Sequence, residues 1–363
     1  MSLTFAPATP VLAVCGWSGA GKTTLVETLL PRFKDAGLQV GVWKHDAHRL
    51  EIDKQGKDTD RFYRAGAGVV IGEDAEQTFL RARKGGGGDN FHRLRSEPLD
   101  LLLVEGHKSS PFPKIWLEGG DGSEPRPSHL EHCLHRFPRS ETIEDEVYAF
   151  IHAFLVEEWR RKRIRTAILI GGESKRMGRP KALLEIEGLA LLERLVRELG
   201  GEEGADMVLS GTGPVPEGLR IRLPILPDAE GGGSPLAGIL SLLRWDPDSA
   251  WVVVGCDLPE MNREYVEWLI SDRAPGKWVI APRLSGQSRR EPLAALYEPQ
   301  MAPTLEAAWR RGERSLQAVL NRPQVDSPEI PSGFTPCLRN INTPEDWEKY
   351  LSGSKTAQIN VGE

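Results

Sequence analysis

Thr166-Ala-Ile-Leu-Ile-Gly-Gly-Glu-Ser-Lys-Arg-Met-Gly-Arg-Pro-Lys181 decides how the second half of this chain is read. The apolar run 166–170 reads as a buried strand, and it breaks at the paired glycines Gly171 and Gly172. Glycine lets a backbone approach a ligand closely and turn its N–H groups toward it, which makes a concavity for anions. Ser174, Lys175, Arg176 and Lys181 follow, so fixed cations stand beside that cradle, as suits a triphosphate. The spacing is neither the dinucleotide pattern G-x-G-x-x-G nor a Walker loop.

Downstream, residues 181–186 read as a short strand, 189–199 as a helix with apolar residues at helical spacing, and 207–210 and 223–228 as strands. A glycine-rich stretch, 231–238, precedes a helix over 239–243, and the apolar run 250–257 ends in Asp257. Strands alternating with helices predict a mostly parallel sheet with helices on both faces. Ligands of such sheets bind beyond the carboxyl ends of the strands. That places the Gly171 loop, Ser210, Asp228 and Asp257 along one edge. Asp257 has two readings: a Mg²⁺ ligand, favoured because a triphosphate pocket needs its charge neutralised, or the cap of a helix over 259–270.

The first half carries a second phosphate signal. Val11-Leu-Ala-Val-Cys15 reads as a buried strand, and Gly16-Trp-Ser-Gly-Ala-Gly-Lys-Thr23 follows it as a full G-x-x-x-x-G-K-[ST] P-loop opening a helix. Backbone N–H groups around Gly16, Gly19 and Gly21 would cradle phosphates, with Lys22 on the β and γ groups, Thr23 on Mg²⁺ and Thr24 beside it. Residues 99–105 form an apolar run ending in Glu105, a better-placed Mg²⁺ ligand than Asp100 at its start. Between them, residues 39–48 end a strand in a polar cluster, and 65–71 approach another. His45 and His48 suit either a metal or phosphate, or ordinary loop contacts. His129, His132, Cys133 and His135 are spaced like metal ligands, but no second cluster completes the set. Residues 81–95, with Gly85 to Gly88, read as a mobile loop, and 144–159 as a closing helix.

Residues 10–160 together resemble the molybdopterin-guanine dinucleotide biosynthesis adaptor family, MobB, through the P-loop, Lys44-His-Asp-Ala-His48, Gly56-Lys-Asp-Thr59 and Glu105-Gly-His-Lys108. Gln55 stands where that pattern has proline. The resemblance implies guanine-nucleotide binding with weak hydrolysis; the oligomeric state stays open, a homodimer through this domain being one arrangement. Residues 165–351 resemble the molybdenum cofactor guanylyltransferases, MobA, through L-I-G-G-E-S-K-R-M-G-R-P-K, S-P-L-A-G, G-C-D-L-P, Glu291-Pro-Leu-Ala-Ala-Leu296 and Asn340-Ile-Asn-Thr-Pro-Glu-Asp346. This implies that Leu169, Ile170, Gly171, Gly172, Ser174, Gly238 and Lys181 hold GTP, with Arg176 and Lys181 acting on its phosphates. It further implies that Asp228 reads the guanine edge, Asp257 binds Mg²⁺, and Asn340 and Asn342 lie near the molybdenum-bound molybdopterin. Ile170 replaces the usual alanine, and Ser210 the usual base-contacting asparagine. Arg289 and Arg290 suit either a grip on the pterin phosphate or a solvated loop.

The expected architecture is therefore two three-layer α/β/α domains, a P-loop NTPase-like domain over 1–163 and a Rossmann-like nucleotidyltransferase domain over 164–363. All eight histidines fall at or before His152, and the charged run 157–165 marks the junction as a solvated helix end. A length of 363 residues suits two domains, and no apolar run approaches a membrane span. Four scattered cysteines without a C-x-x-C pair, and no secretory pattern, fit a reducing cytoplasm. A net charge of −6 gives no general reason to bind nucleic acid or anionic membrane, so phosphate ligands are small molecules in local pockets. Molybdopterin-synthesis proteins and molybdoenzyme clients are the protein partners implied. Two other functions stay open: a transferase using CTP or UTP on another phosphate acceptor, and a non-catalytic GTP-binding carrier in which only the first half acts.

Overall fold

Val11–Gly16 (β1) is buried at all six positions, the pattern of a strand covered on both faces. The computed structural model describes residues 9–44, 56–66, 69–73, 76–82, 97–119, 130–171, 176–201, 206–229 and 232–359. After β1 come β2 (Val40–Lys44), β3 (Val69–Glu73), β4 (Thr78–Ala82), β5 (Leu101–Glu105), β6 (Lys114–Leu117) and β7 (Cys133–Phe137). Five of them form a parallel sheet in the order β2-β5-β1-β6-β7. Helices Lys22–Asp35 and Ile143–Arg161 pack on one face, burying Leu25, Leu29, Phe33, Val147, Ile151 and Leu155 against alternate strand residues. The strand expected near 65–71 forms, but among the described residues β3 pairs with β4 alone, antiparallel and outside the main sheet. The glycine run 85–88 and the cluster His45 to Asp53 lie outside the described residues.

The second sheet uses β8 (Ile164–Leu169), β11 (Met207–Ser210), β12 (Ile225–Leu226), β13 (Ala250–Gly255), β14 (Val279–Ile280), β15 (Ala294–Tyr297) and β16 (Val325–Asp326), following the hairpin β9 (Glu185–Ile186) and β10 (Leu189–Ala190). Its order is β12-β11-β8-β13-β15-β14-β16, parallel except for β15. Helices Leu191–Glu198, Arg263–Ser271 and Pro344–Ile359 cover one face; Pro235–Trp245 and Ala302–Arg310 cover the other. The molecule thus has two α/β domains, one on a five-stranded parallel sheet and one on a seven-stranded mixed sheet.

Three local expectations are corrected. Residues 181–186 are not one strand: Lys181–Leu183 makes a 3₁₀ turn, and only Glu185–Ile186 is extended. Glu187 and Gly188 both have positive φ, the geometry of a tight hairpin turn that folds β9 back on β10. The helix expected from 239 begins at Pro235, where fixed φ suits a first turn. The helix expected from 259 begins at Arg263, and Asn262 caps it by accepting from Tyr265 N at 2.9 Å. Asp257 is therefore not that helix's cap.

The two halves are joined by a polar seam. The helix Ile143–Arg161 passes into β8 through Lys162 and Arg163 alone. Asp100 is fully buried at the start of the run that β5 continues. Its carboxylate accepts from Gln39 N at 2.7 Å, Trp278 Nε1 at 2.8 Å and Gly276 N at 3.2 Å. Nearby, Arg273 bonds Glu298 at 2.7 Å, and Lys162 lies 3.9 Å from the same carboxylate and 3.6 Å from the Trp159 ring centre. Burial pulls the Lys162 ammonium down to about 8. Asp100→Ala would strand two N–H donors and an indole in this buried seam, and it is expected to cost about 2–4 kcal/mol. Urea unfolding followed by tryptophan fluorescence measures this, and Trp278→Phe, losing one bond, should cost about 1 kcal/mol.

Candidate active site

β8 is the point at which the second sheet's order turns: β11 follows on one side and β13 on the other. Such switch points open a crevice at the carboxyl ends. Leu169 stands level with Ser210 of β11 and Gly255 of β13, so the segments leaving these strands start from one row. Above them lies a cleft of about 1100 Å³, whose lining includes Gly171, Arg176, Lys181, Thr212, Asp228 and Asp257.

Its walls depend on glycine. A Cβ on Gly211 would lie 2.7 Å from Gly171 N, and one on Gly213 would strike the Ile170 carbonyl oxygen. Gly238 sits against the Leu169 side chain, where a Cβ would come within 2.5 Å, with Ser210 Oγ and Asp228 Oδ1 just beyond. Ser210 is fully buried and donates to the Gly238 carbonyl at 3.3 Å, so it fastens the start of helix Pro235–Trp245; the exposed hydroxyl in this wall is Thr212. Asp228 lies between the Gly171 loop and that helix start.

At the other wall, Lys181 Nζ donates to Asp257 Oδ2 at 3.1 Å and to Asn342 Oδ1 at 2.7 Å. The two charged side chains are 15% and 23% exposed, so their attraction is less screened than at an open surface. Asn342 is held from behind: Asp346 accepts from the backbone N–H groups of Asn342 and Thr343 at 3.0 and 2.9 Å, and Thr343 Oγ1 accepts from Asp346 N. These bonds hold the Asp346 carboxyl below its ordinary range. Ile341 N donates to the Asp257 carbonyl at 2.9 Å, tying the same segment to the end of β13. Burial pushes the Cys256 thiol up to about 12, which leaves it no thiolate at neutral pH. Burial, and next the Asp257 charge, raise the Glu291 carboxyl against the opposing pull of Arg289. Arg290 bonds Ser327 Oγ at 2.8 Å, whereas Arg289 is exposed. Asn340 is exposed and is not among the cleft-lining residues; Gly172 and Ser174 lie outside the described residues.

The P-loop forms between β1 and helix Lys22–Asp35, with Gly19 and Gly21 in left-handed conformations at φ 75° and 82°. A Cβ on Gly16 would press to 2.7 Å of the Leu117 carbonyl. Lys22 is folded onto its own loop, donating to Trp17 O at 2.7 Å and Gly16 O at 3.3 Å, and burial lowers its pKa. Thr23 Oγ1 donates to Glu105 Oε1 at 2.7 Å, with Lys44 3.9 Å from the same oxygen; Thr24 is exposed one residue on. Lys114, which the sequence reading passes over, is fully buried and donates to Lys108 O and Ser110 O, both at 2.8 Å. It thereby fixes the turn after Glu105. His135 packs between Phe137 and Phe150, and no cluster of three metal-ligating side chains exists among the described residues.

The domains and their sites define a P-loop protein joined to a nucleotidyltransferase. A family model described as "MobA-like NTP transferase domain" matches residues 166–327, and "Molybdopterin guanine dinucleotide synthesis protein B" matches 11–131. The Haemophilus influenzae molybdopterin-guanine dinucleotide biosynthesis adapter protein is 38% identical over 128 residues, 34% of this chain and 72% of that protein. A probable molybdenum cofactor guanylyltransferase of Pelotomaculum thermopropionicum is 36% identical over 200 residues, 53% of this chain and 95% of that protein. Among solved structures, molybdopterin-guanine dinucleotide biosynthesis protein A of Archaeoglobus fulgidus matches with a TM-score of 0.46 at 25% identity, covering 53% of this chain and 99% of that one. Bacillus subtilis MobB matches with a TM-score of 0.30 at 26% identity, covering 39% and 96%. The chain belongs to both families, as a fusion of a MobB-type adapter with a MobA-type nucleotidyltransferase of molybdenum cofactor biosynthesis.

Gly213→Ala should push the 211–214 turn off Ile170 and weaken GTP binding by roughly 10-fold or more, since small displacements of a positioned wall are costly. Calorimetric titration reads this, with circular dichroism confirming the fold.

Proposed function

We propose that the second domain transfers GMP from GTP to molybdenum-bound molybdopterin, giving the guanine dinucleotide form and pyrophosphate. The observation that carries this reading is the Lys181–Asp257 pair across the cleft from Asp228, in a chain of the guanylyltransferase family. An oxygen of the pterin's terminal phosphate forms the new bond to the α-phosphorus, while the bond to the bridging oxygen of the β-phosphate breaks and pyrophosphate leaves. A phosphate monoester is largely dianionic at neutral pH, its second pKa being ~6, so no general base is needed. The work of the chain is positioning and charge stabilisation. The Gly171 loop and Lys181 hold the triphosphate, Arg176 stands at the mouth, and Asp228 accepts from the guanine edge. Ser210 acts through Gly238 and leaves base contact to Asp228 and Thr212.

Asp257 fits a Mg²⁺ site: its carboxylate faces the cleft and already carries one cation, the Lys181 ammonium, at 3.1 Å. A site with few protein carboxylates suits Mg²⁺, which keeps waters and takes phosphate oxygens. Bound there, Mg²⁺ would neutralise charge developing on the phosphates. Thr23 and Glu105, already bonded to each other, fit the same role in the first domain.

The first domain, with its boundary at 163/164, binds GTP at its P-loop and hydrolyses it weakly, acting as the adapter toward molybdopterin-synthesis proteins and client enzymes in the cytoplasm. No helix among the described residues is long and apolar enough to cross a membrane.

Asp257→Ala and Lys181→Ala should each lower kcat by roughly 10²–10³, the scale for one preorganised charge-stabilising group. Pyrophosphate release with GTP and molybdopterin measures it; wild-type turnover in both variants sinks the assignment, and competition by CTP and UTP tests base choice. In the first domain, Lys22→Ala should reduce GTP binding from two sites per chain to one, read by equilibrium dialysis. Two sites remaining would remove the P-loop from the nucleotide site.

A further inference from the structure

Lys181 has an uncommon position for a phosphate-binding lysine: it rests on the carboxylate assigned above to the metal. Its ammonium takes Asp257 Oδ2 at 3.1 Å and Asn342 Oδ1 at 2.7 Å, using two of its three N–H donors. A divalent ion bonded to that carboxylate at about 2.1 Å, with its own water shell, needs the space around Oδ2 and repels a neighbouring ammonium. Both side chains are mostly buried, so water screens that repulsion only in part.

We propose that Lys181 is the resident counter-cation of Asp257 and that metal and lysine exchange places: Lys181 leaves the carboxylate for the triphosphate as the carboxylate takes the metal. Asn342 makes the exchange feasible. Its side-chain oxygen is neutral, and its backbone is fixed by Asp346 and by the Ile341–Asp257 bond, so it keeps hold of the ammonium while the carboxylate lets go. Lys181 therefore opposes metal binding when no nucleotide is present and favours it when nucleotide is present. The cleft takes metal and triphosphate together, and divalent ions alone do not fill it. The inference rests on the transferase reading of the cleft and adds to it a sign reversal that a merely structural lysine would not produce.

The test is Mn²⁺ binding to the full-length chain, every protein carrying Lys22→Ala so that the first domain takes up no nucleotide, followed by electron paramagnetic resonance of the free ion, with and without GTP. Lys181→Met should bind Mn²⁺ alone about tenfold more tightly than the wild type, and Mn²⁺ in the presence of GTP at least tenfold more weakly. Lys181→Gln, which keeps a polar side chain and is checked for folding by circular dichroism, should reproduce both signs. Affinities that move in the same direction under the two conditions, or an unchanged affinity for Mn²⁺ alone, overturn the exchange. Asp257→Asn separates this failure from failure of the underlying reading. If Asp257→Asn loses both Mn²⁺ binding and guanylyl transfer while Lys181→Met shows no reversal, the site stands and the exchange falls. If Asp257→Asn binds Mn²⁺ and turns over like the wild type, the site assignment itself falls, and the exchange with it.

Discussion

Two backbone segments of the second domain touch where no side chain could stand between them. The turn carrying Gly211 and Gly213 lies on Ile170 and Gly171 so closely that a Cβ at Gly211 would come within 2.7 Å of a backbone nitrogen. This contact sets the distance between the loops leaving β8 and β11, and so the width of the cleft. Gly238 repeats the device, letting helix Pro235–Trp245 lean on Leu169 beside the Asp228 carboxylate. A close-packed interior has no slack with which to absorb an added methyl group here.

The polar groups are arranged around that constraint by hydrogen bonds from outside the cleft. Asp257 follows β13, the strand level with β8, while its partner Lys181 comes from a 3₁₀ turn and is steadied by Asn342 from a distant segment. That segment is tied to helix Pro344–Ile359 by a reciprocal Thr343–Asp346 cap. The helix Pro344–Ile359 thus reaches the cleft indirectly, its Asp346 carboxylate holding the backbone N–H groups of Asn342 and Thr343.

Much of this was legible in the residues. The P-loop, the glycines after Ile170, and the acids that follow apolar runs pointed to two α/β domains and to the strand-end edge that carries each candidate site. The order of strands at β8 explains why: a switch point places every strand end of interest on one side. Ser210 shows the limit. It lines the cleft, as its place at a strand end suggested, but its buried hydroxyl donates to the Gly238 carbonyl, and no local pattern reveals that partner. Asp100 is the converse: an acid at the wrong end of an apolar run for a metal, yet buried by Trp278 and Gly276 from more than 170 residues away. Such a partnership is set by how the domains meet. The Thr343-x-x-Asp346 spacing was readable as a cap, but its link through Asn342 to Lys181 depends on tertiary structure.

The two lysines to which the proposed function gives phosphates differ in what they would have to release. Lys22 rests on the carbonyl oxygens of Trp17 and Gly16, neutral acceptors, and burial lowers its pKa against the opposing pull of Glu105. Phosphate oxygens offer that ammonium a stronger, charge-assisted bond than a carbonyl does, so transfer to a nucleotide runs downhill without help. Lys181 already has a carboxylate, and trading it for phosphate exchanges one anion for another. The gain must then come from a second cation that stabilises the carboxylate left behind. On the proposed function, one chain would hold two solutions to triphosphate binding, one whose lysine is poised by desolvation and one whose lysine is restrained by an ion pair.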